Sequence, residues 1–448
     1  MHPIMRGALA GRTTTELLLN MVDWNRGGGR AALYSICSAN RWVLEAGMMQ
    51  ASSDDTVICI ESTCNQVNQF GGYTGMTPAG FRAFVAEVAA EMGFDEARVI
   101  LGGDHLGPYV WRDAPAAAAM AKARDLVHSC VLAGYTKIHL DASMRCADDP
   151  GAADTPLDEQ VVTARTVDLC AAAEAAREEL SSAAPAPVYV IGSEVPVPGG
   201  EQAGEHAVAV TRVADVEQTL SLAQQAFRAA GLHSAWERVV ALVVQPGVEF
   251  GDATVTPYDR RRARDLSACL KVHGPLVYEA HSTDYQSATA LWQMVKDHFA
   301  VLKVGPSLTF AMREATFALE AVERDLLMGD DGATLSRLRD VLDAAMVDHP
   351  EHWRSYHRGT NEEQRLARAF SYSDRCRYYW PLPAVRDALD RLLRNLTEHP
   401  IPETLLSQYL PNQYRAVRSG DLTNRPDALI RHKILEVIAI YAAACGMR

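Results

Sequence analysis

Eight short runs of β-branched and aliphatic residues recur along the chain, most of them followed by a longer stretch of helical composition. They fall at 31–38 (AALYSICS), 56–61 (TVICIE), 99–103 (VILGG) and 137–141 (KIHLD), then at 188–193 (VYVIGS), 239–245 (VVALVVQ), 276–280 (LVYEA) and 301–305 (VLKVG). Most are apolar nearly throughout, as strands covered on both faces of a parallel sheet must be. Between and after them, 77–92, 114–132, 158–180, 213–230, 259–272, 286–298 and 310–327 are predicted helices. The first opens with Thr77 as its cap and Pro78 at the first helical position.

Eight strand-then-helix units are the count for a closed (β/α)8, or TIM, barrel. A dinucleotide-binding sheet would carry a G-x-G-x-x-G turn after its first strand, and none is there. Beyond about residue 330 the alternation stops. Stretches at 335–346, 382–396 and 426–445 keep helical character without an obvious strand, and 181–187 (SSAAPAP) is a loop. The expected architecture is α/β: an N-terminal extension over 1–30, a TIM barrel over 31–330 and a helical C-terminal extension over 331–448.

Composition narrows the function more than the fold. Hydrophobic residues are 48% and charged residues 22%, close to the average for globular proteins. A net charge of −13 and the lack of a basic stripe argue against nucleic acid and anionic membranes as partners. No apolar run is long enough to span a bilayer, and the first thirty residues lack a secretory pattern. The nine cysteines include no C-x-x-C pair, consistent with reduced thiols. A cytoplasmic protein is expected.

In a barrel, chemistry belongs to the C-terminal ends of the strands. Those positions hold Ser38, Glu61, Asp104 with His105, Asp141, Glu194, Gln245, His281 and Lys303. Any one alone would be an ordinary loop start; together they exceed what solvation requires. The sharpest local signal is Gly102-Gly103-Asp104-His105-Leu106-Gly107-Pro108, in which adjacent side chains should point in different directions. One can then ligate a metal while the other handles protons. With His281 and Glu194, two imidazoles and a carboxylate meet the needs of a catalytic Zn²⁺ or similar divalent ion. His139, inside an apolar strand, is expected to be a packed histidine. Arg375 and Arg377, beside Asp374, could meet a phosphate as bidentate donors, but more often such residues form surface ion pairs; Tyr378, Tyr379 and Trp380 could stack on a sugar, but more often such aromatics are core. Lys303 suits substrate binding or an internal ion pair.

Several of these stretches together closely resemble one family. They are 61–78 (ESTCNQVNQFGGYTGMTP), 101–108 (LGGDHLGP), 137–144 (KIHLDASM), 189–200 (YVIGSEVPVPGG) and 243–250 (VVQPGVEF), with 277–286 (VYEAHSTDYQ), 302–310 (LKVGPSLTF) and 373–381 (SDRCRYYWP). The resemblance is to the accessory, or Z, subunit family of class II tagatose-bisphosphate aldolase, and it runs from about residue 31 to the C terminus. Members have also been labelled tagatose-6-phosphate kinases. We reject that label for want of a G-x-x-x-x-G-K-[ST] loop.

The family is similar to catalytic class II aldolases, with their three-histidine zinc and catalytic Asp. The resemblance places Asp104 on that Asp, His105 on the first zinc histidine and His281 on the third, while Gln245 takes the place of the second. That departure accounts for the label of non-catalytic subunit. Glu194 and Gln245 would complete a ligand set for Zn²⁺, or for Mn²⁺, Co²⁺ or Ni²⁺.

Relatives are associated with ketose 4-epimerisation, so the implied activity is that of a metal-dependent ketose or ketose-phosphate 4-epimerase. Asp104 and Glu194 would be catalytic, and Glu61, Asn65, Gln66, Asp141, Ser143, Ser282 and Lys303 would bind substrate. The implied partners are a small ketose or ketose phosphate, a class II aldolase catalytic chain if the protein is instead a stabilising subunit, and further copies in a homo-oligomer. The loops after the seventh and eighth strands offer Ser282, Thr283 and Ser307 to a phosphate, and Pro306 withholds one donor. Free and phosphorylated sugars both remain open.

Overall fold

The structure, a computed structural model, describes residues 12–29, 31–151, 155–192, 208–270, 273–329 and 334–447. Six strands come first: β1 (Leu33–Cys37), β2 (Ile58–Thr63), β3 (Val99–Leu106), β4 (Lys137–Leu140), β5 (Val188–Ile191) and β6 (Val239–Val244). A small antiparallel hairpin follows, β7 (Glu249–Phe250) with β8 (Val255–Thr256), and then β9 (Val277–Ala280) and β10 (Phe299–Val304). All but the hairpin pair in parallel in chain order, and β10 returns to β1. The result is a closed eight-stranded TIM barrel.

Around it run α2 (Arg41–Ser53), α3 (Pro78–Glu91), α4 (Ala116–Leu132), α5 (Glu159–Glu179), α6 (Val213–Ala229), the short α7 (His233–Trp236) and α8 (Arg264–Cys269), α9 (Ala288–Lys296) and α10 (Pro306–Leu327). Their starts are chemically marked. Thr77 accepts from the Gly80 N–H ahead of α3, Asn40 from Trp42 ahead of α2, and Ser287 from Ala290 ahead of α9. The predicted helix over 259–272 shrinks to α8, with 271–272 outside the described residues. Before it, Tyr258 and Arg260 bind the Asp297 carboxylate and the Asp259 side chain accepts from the Arg261 N–H, which holds that stretch in turns.

Ahead of the barrel, α1 (Thr14–Arg26) opens with a capping box between Thr13 and Glu16. It buries Leu17, Leu18, Met21 and Val22 and lies against β6 and β9. The C-terminal helices are α11 (Leu338–Asp348), α12 (Asn361–Phe370), α13 (Pro383–Glu398), α14 (Glu403–Tyr409), α15 (Pro411–Ser419) and α16 (Pro426–Ala444). Of these, α16 packs between α2, α9 and α10, and the Tyr441 hydroxyl donates to the Thr283 carbonyl at 2.7 Å. No helix among the described residues is long and apolar enough to cross a membrane.

Candidate functional site

Strand alternation decides what the barrel encloses. On β4, Ile138 and Leu140 face outward to the helices, which turns Lys137 and His139 inward. The interior layer is therefore charged rather than aliphatic. Lys137 Nζ lies 2.7 Å from Glu61 Oε1 and 2.6 Å from Glu279 Oε2, and Lys303 contacts Glu61 and stands 3.0 Å from Asp104 Oδ1. Glu61 and Glu279 have no solvent exposure at all. Charges so deeply buried persist only when paired, and these are. Burial lowers the Lys137 ammonium pKa, but Glu279 and its neighbours outweigh that and raise it.

Above this layer β3 breaks its own pattern. His105 has a φ of +50°, in the left-handed region, and the β3–β4 register shifts between Gly103 and Leu106. In a regular strand Asp104 and His105 would face opposite ways, as the sequence suggests. The kink instead turns both into one cleft, with His105 Nε2 3.9 Å from Asp104 Oδ2. A second left-handed residue, Ser282 at +53°, follows His281 where β9 enters its loop.

Three imidazoles then converge. Ring centroids are 4.9 Å apart for His105 and His281, 5.1 Å for His105 and His139, and 5.3 Å for His139 and His281. With Asp104 they form a buried group whose ligand atoms all lie within 4.8 Å of one another. His139 is thus packed, as its strand position implies, but packed into the site. Its Nδ1 lies 2.9 Å from Asp104 Oδ1 and its Nε2 3.3 Å from the Gly192 carbonyl.

This donor set suits a transition-metal ion. His105 Nδ1 is 2.7 Å from Asp141 Oδ2, and His281 Nε2 is 3.0 Å from Glu279 Oε1. A carboxylate on one ring nitrogen leaves the lone pair on the other free for an ion, the usual support of metal-bound histidine. Burial lowers the His281 pKa, outweighing the opposite pull of Asp104 and Glu279. For His105, burial pulls down but Asp104 and Asp141 prevail, and its pKa is pushed up to about 9. Burial raises the Asp104 carboxyl, yet the charges of His105 and His281 and the contact with His139 hold it well below the ordinary range.

The remaining sequence-derived site residues divide. Asn65, Gln66, Ser282 and Lys303 line the cleft. Glu61 does not; it belongs to the ion network beneath. Asp141 and Ser143 are also set back: Asp141 accepts from the Ser143 N–H at 3.1 Å and hydroxyl at 2.6 Å while it holds His105. Gln245 departs from its expected role as a metal ligand. Its side-chain carbonyl accepts the N–H groups of Gly247 and Val248 at 2.8 and 3.0 Å, capping the turn that Pro246-Gly247 creates. Glu194 lies outside the described residues.

One wall comes from elsewhere in the chain. Tyr73, Arg377 and Tyr378 line the cleft together with His105 and His281. Arg375 is 2% exposed, with its guanidinium over the Tyr356 ring, so it is no surface ion pair. The hairpin fixes this segment. Asp252 accepts from the Ser371 and Ser373 hydroxyls at 2.7 and 3.3 Å and contacts His357 Nδ1 at 3.0 Å, and its carbonyl takes the Tyr372 N–H. Proximity of this wall to the histidines has no signal in sequence spacing; only the side-chain types, arginine beside tyrosine, hint at it.

A family model described as D-tagatose-1,6-bisphosphate aldolase subunit GatZ/KbaZ-like matches residues 18–446, starting inside α1. The crystal structure of a probable tagatose 6 phosphate kinase from Sinorhizobium meliloti 1021 is 44% identical, with a TM-score of 0.84 over 92% of this chain and 100% of that one. A fructose-bisphosphate aldolase from Campylobacter jejuni is 12% identical, with a TM-score of 0.43 over 85% of this chain and 92% of that one. With the match spanning barrel, cleft and extension alike, the chain belongs to the GatZ/KbaZ-like family of D-tagatose-1,6-bisphosphate aldolase subunits.

Proposed function

We propose that the chain is a metal-dependent ketose or ketose-phosphate 4-epimerase of the fructose/tagatose type, working by retro-aldol cleavage and re-addition. The observation that carries this reading is the convergence of Asp104, His105, His139 and His281, of which all but His139 line a cleft with Asn65, Gln66 and Ser282. His105, His139 and His281 would hold a divalent ion, with Zn²⁺ the first expectation. Such an ion supplies Lewis acidity to the C2 carbonyl and a neighbouring hydroxyl.

Asp104, ionised across the neutral range, begins as a proton acceptor. It takes the C4 hydroxyl proton as the C3–C4 bond breaks. The bonding pair moves into the C2–C3 fragment and C4 becomes an aldehyde. Lys303, 3.0 Å from Asp104, holds the carboxylate in place and balances its charge. After the aldehyde turns over, C3 attacks its other face and Asp104 returns the proton to the C4 oxygen. Asn65, Gln66 and Ser282 offer hydrogen bonds to the remaining hydroxyls.

The test is metal analysis of the purified protein, followed by NMR of fructose, tagatose and their 6-phosphates incubated with it. Interconversion of one pair, abolished by Asp104→Asn, is expected. No turnover of any of them by metal-loaded protein would remove the reading.

A second reading follows from the family description, which is that of an aldolase subunit. In it the chain stabilises a separate class II aldolase polypeptide. Co-purification with such a chain, and inactivity alone, would favour it.

A further inference from the structure

Barrels commonly seat a phosphate in the loops after the seventh and eighth strands, at the start of the helix that follows. Here that cradle holds a carboxylate of the protein itself. Asp284 Oδ1 accepts the Gly305 N–H at 3.0 Å, the Ser307 N–H at 2.8 Å and the Ser307 hydroxyl at 2.8 Å. Pro306, between those two donors, has no N–H to add. Asp284 is 3% exposed and lies on the edge of the cleft. A phosphate arriving here would meet donors already spent and a like charge in their midst.

The same cleft holds a guanidinium whose hydrogen-bond partners are neutral. Arg377 donates to the Ser373 carbonyl, to the Asp374 carbonyl at 3.0 Å and to the Tyr378 hydroxyl at 3.1 Å, with its guanidinium 4.6 Å from the Tyr378 ring centre. Among the described residues no carboxylate forms an ion pair with it. These contacts fix the fork, and Asp374 and Asp284 act on it through space without forming an ion pair, which leaves its donors to an oxyanion. Burial alone would raise the Tyr378 phenol pKa, yet Arg377 and Arg375 bring it below its ordinary value, a mark of local positive potential. The lysine of the cleft, Lys303, is already claimed by Glu61 and Asp104.

We propose that, among the described residues, Arg377 is the anion handle of the cleft and that Asp284 closes the usual second one. The site then selects a ketose with one terminal phosphate over both the free sugar and the bisphosphate. The inference rests on the ketose reading above, but it concerns binding and not turnover.

Isothermal titration of the metal-loaded full chain tests it, with fructose, fructose 6-phosphate, fructose 1,6-bisphosphate and inorganic phosphate as probes. Wild type should bind the monophosphate at least about tenfold tighter than fructose, and the bisphosphate no tighter than the monophosphate. Arg377→Ala should erase the first ratio, and Arg377→Lys should restore part of it; melting curves identify a variant that has merely lost its fold. Asp284→Asn, which removes the charge but keeps an acceptor, should improve bisphosphate binding relative to monophosphate.

An Arg377→Ala protein that keeps the monophosphate preference would overturn the proposal. So would wild type that binds the bisphosphate about tenfold tighter than the monophosphate, or binds neither sugar phosphate nor inorganic phosphate. Phosphate binding that is lost in Arg377→Ala, in a protein with no epimerase turnover, upholds the handle while the epimerase reading fails.

Discussion

Replacing Glu61 with glutamine separates two roles for this residue, that of a sugar ligand, as its strand-end position suggests, and that of a strut in the barrel's interior. The substitution preserves shape and removes one charge. Glu61 Oε1 lies 2.7 Å from Lys137 Nζ, where two unit charges attract by roughly 6 kcal/mol at an effective dielectric of about 20. Most of that is offset by the cost of burying both groups. Removing one partner of a buried pair typically costs about 3–5 kcal/mol.

The lower end of that range applies here, because each lysine keeps another carboxylate. Lys137 retains Glu279 at 2.6 Å, and Lys303 retains Asp104 at 3.0 Å. A loss of about 3 kcal/mol is large against a total stability of roughly 5–15 kcal/mol. Urea unfolding followed by tryptophan fluorescence should show the midpoint falling by roughly 1 M. An Glu61→Gln protein with an unchanged midpoint but a raised KM would refute this reasoning and return Glu61 to the substrate.

Other expectations follow from the same geometry. Asp141→Asn removes the carboxylate that orients His105, and metal affinity measured by chelator competition should fall about 10–100-fold with little change in fold. Gly107→Ala would bring a Cβ to 1.6 Å from the Asp141 carbonyl oxygen, so backbone must move. It should cost about 1–3 kcal/mol in unfolding experiments and weaken metal binding as well. For Asp252, burial raises the carboxyl pKa but the His357 and Ser371 contacts outweigh it, leaving the folded value depressed. Its stabilisation is therefore present above the unfolded pKa of about 3.9 and is lost as pH falls through the folded value. Melting temperatures taken between pH 6 and pH 3 should drop less steeply for Asp252→Asn than for wild type, and an identical slope would count against the anchor.

The barrel was legible because eight buried parallel strands leave eight apolar runs, and the helices between them announce themselves with Thr77-Pro78 and similar starts. Asp104, His105 and His281 were legible as polar residues where apolar runs end. Lys137, His139 and Glu279 were not, because they lie within the runs. The signal was the period of two in Lys137-Ile138-His139-Leu140-Asp141, polar at every second place, which marks a strand with one face on a charged interior. Gln245 satisfied the strand-end rule equally well, but the Pro246-Gly247 turn claims its carbonyl. The convergence of Asp104 with His105 depends on a left-handed backbone at a non-glycine residue, which no residue type declares. Arg377 and Tyr378 reach the cleft because Asp252 of the hairpin holds the segment that carries them, and their distance along the chain conceals it.

The bond between Tyr441 and the Thr283 carbonyl has a consequence for the order of events during synthesis. A ribosome that has released all eight strands has yet to deliver α16, the element braced against the loop that begins at His281. The nascent barrel, closed only once β10 ends at Val304, therefore waits with its mouth unbraced until α16 begins at Pro426. A chain halted before Pro426 should form its strands yet be digested readily at that loop, whereas the finished polypeptide resists.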